Sequence, residues 1–131
     1  MTHALETVLQ PLAITVIIDH EIKPVEKTAF AEQAQGLLEF FGLPPMNKDA
    51  LNDWFVAKRE DLEDQLWDKG GNTLVLRALT AFKTDAECEA IFDAMIAISL
   101  ADDKYVPEES RLMKSAASIY GYPLPPIKVD R

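Results

Sequence analysis

The feature that most restricts this chain is a phrase written twice. Asp19-His20-Glu21-Ile22-Lys23-Pro24-Val25-Glu26 returns 83 residues later as Asp102-Asp103-Lys104-Tyr105-Val106-Pro107-Glu108-Glu109. Asp, a large apolar residue at +3, Pro at +5 and Glu at +7 coincide without a gap, which points to internal duplication. Each copy follows an apolar stretch, Leu12-Ala13-Ile14-Thr15-Val16-Ile17-Ile18 or Ala94-Met95-Ile96-Ala97-Ile98-Ser99-Leu100-Ala101, and precedes a polar, Ala-containing one. Each unit therefore reads as helix, short turn, helix.

The helix boundaries are written in capping residues. The first helix is expected to start near Thr2 or at Pro11, and to end near Asp19. Its β-branched run could also describe a buried strand. The second copy decides for helix, because it opens with Thr84-Asp85-Ala86-Glu87, a capping box. Pro24 and Pro107 suit the first helical position, and Gly42 and Gly121, with prolines just beyond, suit the stops. Between the hairpins, 47–67 carries Leu51, Trp54, Phe55, Leu62 and Leu66 at mostly helical spacing, with Glu60-Asp61-Leu62-Glu63-Asp64 as its solvated side. Asp68-Lys69-Gly70-Gly71-Asn72 breaks it. After Asn72, read as an N-cap, 73–82 is apolar nearly all round, so it is expected in the middle of the bundle. The fold class is all-α: one domain of about six helices, residues 1–121, with a duplicated helix-turn-helix hairpin and an extended Pro-rich tail over 122–131.

Size and charge exclude several functions. At 131 residues the chain suits a single core. A net charge of −9 repels phosphate backbones, and neither second helix has a basic face, so nucleic acid is excluded as a partner. The run ending at Ile18 is too short to span a membrane, which takes about twenty residues. The first Lys is Lys23, so no basic segment precedes that run as in a secretory signal, and the mature chain is expected to begin at Met1. One cysteine, Cys88, fits a reducing compartment, and cytoplasmic residence is the expectation. Cys88 shares a helical face with Phe92 and Met95 and reads as a buried, inert thiol. No Gly-rich phosphate loop, G-x-S-x-G or H-E-x-x-H occurs, so the reading is non-enzymatic.

Four carboxylates remain to be explained: Asp19, Glu26, Asp102 and Glu109. At the third helical position, Glu26 and Glu109 are justified as caps facing the positive end of the helix dipole, worth a few tenths to about 1 kcal/mol each. Asp19 and Asp102 follow helix C-termini, where a carboxylate is electrostatically misplaced. Either each side chain bonds to turn backbone, or a cation is held between helix-end carbonyls, Asp and Glu. The second would be an all-oxygen site for Ca²⁺ or Mg²⁺, and it is not an EF-hand. If both turns share one end of the bundle, the four carboxylates converge and a cation is favoured. If they lie at opposite ends, each stands alone.

The duplicated signature in an acidic, all-helical chain resembles the TerB-like family associated with tellurite resistance, over roughly 11–42 and 85–121. The resemblance implies a helical bundle with internal pseudo-symmetry, and acidic residues implicated in chelating metal. By it Asp19, Glu26, Asp102 and Glu109 become candidate ligands, with Glu21 as the common acid at +2. The family pattern places Gly after the Asp, where this chain has His20 and Asp103. At +2 the second copy has Lys104, whose ammonium competes with a cation. The family name does not imply chemistry on tellurite, since a −9 protein repels an oxyanion and one cysteine supplies no paired thiols. Sensing, scaffolding or a metal-linked stress response is what the resemblance implies, and an unidentified protein partner is expected. The alternative is a metal-free acidic interaction module, with an exposed apolar cluster including Trp54 or Trp67.

Overall fold

The computed structural model describes residues 4–18, 24–67, 71–101 and 107–121, with the side chains of 71, 72 and 107–109 outside that description. Among the described residues there are six helices and no strand: α1 (Leu5–Ile17), α2 (Pro24–Phe40), α3 (Lys48–Trp67), α4 (Gly71–Thr80), α5 (Asp85–Ser99) and α6 (Pro107–Tyr120).

Local chemistry sets most of these limits. Pro24 and Pro107 are the first residues of α2 and α6. Past α2, Gly42 takes φ 69°. Its N–H bonds to the Glu39 carbonyl at 3.2 Å and that of Leu43 to Leu38 at 2.8 Å, a Schellman stop. Gly121 repeats it after α6, with φ 75° and a 3.3 Å bond from its N–H to Ser118. Thr84 caps α5, its hydroxyl accepting from the Glu87 N–H at 3.2 Å while the Glu87 carboxylate accepts from the Lys83 N–H at 3.3 Å. Asn47 caps α3 by accepting from the Ala50 N–H at 2.7 Å.

Three expectations are corrected. Of the two starts expected for the first helix, the one at Pro11 is overturned: Pro11 lies inside α1, which starts at Leu5 behind Ala4, and Thr2 lies outside the described residues. An interior proline costs about 3 kcal/mol, but fully burying Val8 and Leu9, both at 0 % exposure, returns about 1.5–3 kcal/mol each, so helix persists on both sides. Asn72 is not a cap but a residue of the first turn of α4, which begins at Gly71. And α4 is not central: Thr73, Leu76, Arg77 and Thr80 form an exposed face, with Leu74, Ala78 and Leu79 turned inward. The central helix is α1, buried from Pro11 through Ile17, packed against α5 with α2 on both.

Contacts remote in sequence orient the hairpins. Phe41, just past α2, packs on Phe82, just ahead of α5, with ring centroids 5.6 Å apart. Tyr120, ending α6, donates its hydroxyl to the Leu79 carbonyl near the end of α4 at 2.8 Å. The ends of α2, α4 and α6 therefore gather around the start of α5. Since α2 and α6 both pack on α5, both run antiparallel to it. The starts of α2 and α6 and the end of α5 thus lie at the opposite end, and α1 finishes there too, because its last residues precede α2 by a short link. α3 crosses the first hairpin, with Phe30 of α2 stacked on Trp54 at 6.2 Å and tilted on Phe55 at 5.4 Å.

Candidate functional site

The helix ends bordering both copies of the repeated phrase share one end of the bundle. α1 ends at Ile17 and α5 at Ser99; α2 and α6 begin at Pro24 and Pro107. Of the sequence-predicted ligands, Asp19, Glu21 and Asp102 lie outside the described residues, as do His20 and Lys104, and the side chain of Glu109 does too. The backbone of Glu109 is in the first turn of α6.

Glu26 is described, and its position is unusual for a carboxylate. It lies in the first turn of α2 at 1 % exposure, on the same stripe as Phe30, Ala34 and Leu37. A capping glutamate facing the helix dipole ordinarily stays in water, where that interaction is worth about 0.3–1 kcal/mol. Taking an ionised carboxylate out of water costs several kcal/mol, more than the dipole returns, and Glu26 is not without a partner in the fold.

Sequence reasoning passed over Ser99. It closes α5 at 0 % exposure, and its hydroxyl has no hydrogen-bond partner. The signal was present: Ser99 interrupts an apolar run at the position where the first copy has Val16. Thr15, also at 0 % exposure, is by contrast satisfied within its own helix, donating to the Pro11 carbonyl at 2.8 Å.

Elsewhere the polar groups are mostly surface features. Lys58 meets Glu6 at 2.6 Å beside a cleft of about 110 Å³ between α1 and α3, lined also by Gln10, Trp54, Asp61, Leu62 and Gln65. The hydrogen bond to Glu6 holds the Lys58 ammonium above its ordinary pKa, reinforced by the Glu6 charge. The acidic run on α3 is largely exposed as read, with Arg59 pairing with Glu63 at 2.6 Å. Burial pushes the Cys88 thiol up, with Asp85 and Glu87 adding to the shift, and its Sγ donates to the Phe82 carbonyl at 3.5 Å. Trp54 is half-buried against Phe30, whereas Trp67 is 43 % exposed at the end of α3.

Among the described residues, no group of three His, Cys, Asp or Glu side chains is placed to hold a metal, and no helix is long and apolar enough to cross a membrane. Taken together, these features define an acidic, all-helical bundle built on a duplicated hairpin whose two connections attach at one end. The chain belongs to the family described as tellurite resistance protein TerB, whose model matches residues 6–123. The match thus extends beyond the two hairpins through α3 and α4, to which the sequence resemblance did not reach. No curated protein and no solved structure matches the chain.

Proposed function

We propose that this TerB-family domain is a non-enzymatic, tellurite-resistance-associated module that binds a hard divalent cation, Ca²⁺ or Mg²⁺, at the shared end of its hairpins. Asp19, Glu26, Asp102 and Glu109 are the ligands, with Glu21 contributing from the first copy. The observation that carries this reading is the common end of α1, α2, α5 and α6. If the four carboxylates of the two repeated phrases gather at that end they repel one another, and a divalent cation is the simplest group that turns such repulsion into attraction. In this role the domain links cation level to the stability of an acidic surface that a protein partner reads.

The test is a thermal melt of chelator-treated protein with Ca²⁺, Mg²⁺, Mn²⁺ or Zn²⁺ added back, repeated on an Asp19→Asn, Asp102→Asn double variant. A hard cation should raise the midpoint of the wild type and leave the variant unmoved. If no ion acts and the variant melts lower on its own, the carboxylates are structural. A metal-free interaction module is then the better reading. Val25 and Leu100, exposed at 47 % and 41 %, border the same end and would supply its apolar contacts.

A further inference from the structure

The cleft of about 110 Å³ between α1 and α3 lies away from the hairpin connections, since Glu6 stands about 16 Å along α1 from its last residue. Its α3 wall is one stripe, Trp54, Lys58, Asp61 and Gln65, spaced i, i+4, i+7 and i+11. Glu6 and Gln10, one turn apart, supply the α1 wall. Clefts that take cofactors and other drug-sized molecules measure about 300–1,000 Å³, so this one has room for the end of a single side chain.

The walls select a cation. Lys58 already places its ammonium 2.6 Å from the Glu6 carboxylate, and the charge of Asp61 adds to the attraction. That internal cation is loosely held: the Lys58 and Glu6 side chains are 40 % and 65 % exposed, and a pair of flexible, exposed side chains contributes little to stability. A cation of better geometry therefore displaces it at small cost. A guanidinium has that geometry, because its planar fork of donors matches a carboxylate bidentately and its flat face packs on an indole. Phe30, stacked on Trp54 at 6.2 Å and 14° between planes, holds the indole in place before any partner arrives.

The next stripe of α3 carries the same preference outward. Asp53, Ala57, Glu60 and Asp64 repeat the spacing of the cleft stripe, and all four are exposed, three acids around one small residue. With a net charge of −9 behind it, this face attracts a positively charged chain at long range.

We propose that the α1–α3 cleft receives an arginine side chain from a basic segment of a partner protein, its guanidinium replacing Lys58 at Glu6 and Asp61 and packing on Trp54. Asp53, Glu60 and Asp64 meet the basic residues that flank that arginine. Lys58 is the gate: it neutralises Glu6 when the cleft is free and turns out to solvent when the cleft is filled. The inference is independent of the cation reading, since none of these residues belongs to the repeated phrases.

The probe is a peptide of alternating arginine and alanine, with its lysine counterpart, titrated calorimetrically into the full chain at an ionic strength of about 0.15 M, where long-range attraction is screened. Two double variants of equal net charge separate the cleft from the overall charge: Glu6→Gln with Asp61→Asn, and Glu89→Gln with Asp93→Asn on the exposed face of α5. The first should raise the dissociation constant of the arginine peptide at least about tenfold, the scale of a lost hydrogen bond to a charged group, and the second less than about threefold. The lysine peptide should bind the wild type more weakly than the arginine peptide. Lys58→Met removes the internal competitor, and should tighten binding more than Lys114→Met, which changes the net charge equally. Circular dichroism establishes that each variant is folded, and the lysine variants test the cleft even if a double variant is not. Equal weakening in the two double variants, or equal tightening in the two lysine variants, would assign binding to net charge and overturn the proposal. A wild type that binds neither peptide would overturn it as well, and a lysine peptide that binds as tightly would remove the guanidinium from it.

Discussion

Replacing Glu26 with Gln separates a helix cap from a cation ligand, because the two roles differ in size and in dependence on the ion. The amide keeps the side chain's shape and removes its charge. As a cap, Glu26 contributes up to about 1 kcal/mol through the dipole, whether or not an ion is present. As a ligand, it carries the linkage between binding and folding: an ion at a hundred times its dissociation constant stabilises the folded chain by about 2.7 kcal/mol. With an unfolding entropy near 2.1 cal/mol/K per residue over 131 residues, 1 kcal/mol moves the midpoint by about 4 °C and the full linkage by about 10 °C. In chelator, Glu26→Gln should therefore melt within about 4 °C of the wild type. With saturating Ca²⁺, the wild type should gain about 10 °C and the variant little. The assay is a pair of calorimetric scans of each protein, in chelator and in excess Ca²⁺. The same gap between the proteins in both buffers would refute the ligand role and leave Glu26 a cap.

Two further outcomes test the scaffold. Gly42 has φ 69°, and a Cβ built there meets nothing within 4 Å, so Gly42→Ala should cost only the backbone penalty, about 1 kcal/mol in urea unfolding; no loss would contradict the Schellman stop. Cys88 has a raised pKa because burial disfavours its thiolate. Above the ordinary thiol value of about 8.5, the unfolded chain releases its proton first, so stability should fall as pH rises from there to the folded-state pKa and be unaffected below. Urea midpoints at pH 7 and 9.5 check this against Cys88→Ala, and an equal alkaline loss in both proteins would assign it to other groups.

Much of the fold was legible because it is written in local chemistry. Pro24, Pro107, Gly42, Gly121, Asn47 and Thr84 each act on backbone groups within a few residues, and the helices begin and stop where these residues put them. Pro11 misled for the converse reason. Its local preference for a helix start is outweighed by burial of Val8 and Leu9 ahead of it, a tertiary effect. The outward face of α4 was present as Thr73, Leu76, Arg77 and Thr80 at helical spacing, but counting Leu76 as core hid it; that leucine is 51 % exposed. At the candidate site, Glu26 was readable from its place in the repeated phrase, whereas its burial was not. Ser99 was visible only as a polar break in an apolar run. The common end of the two hairpins was beyond sequence reading, since it depends on Phe41 meeting Phe82 and Tyr120 meeting Leu79.

That common end is the claim on which the cation reading stands, and a distance measures it. Nitroxide labels on cysteines introduced at the exposed positions Val25 and Leu100, in a Cys88→Ala background, report the start of α2 against the end of α5 by pulsed electron spin resonance. With helix axes 8–10 Å apart, the distribution should centre within roughly 25 Å. If the hairpins were reversed, the length of α5, about 22 Å, would add to that separation, and a centre beyond about 35 Å would contradict the account.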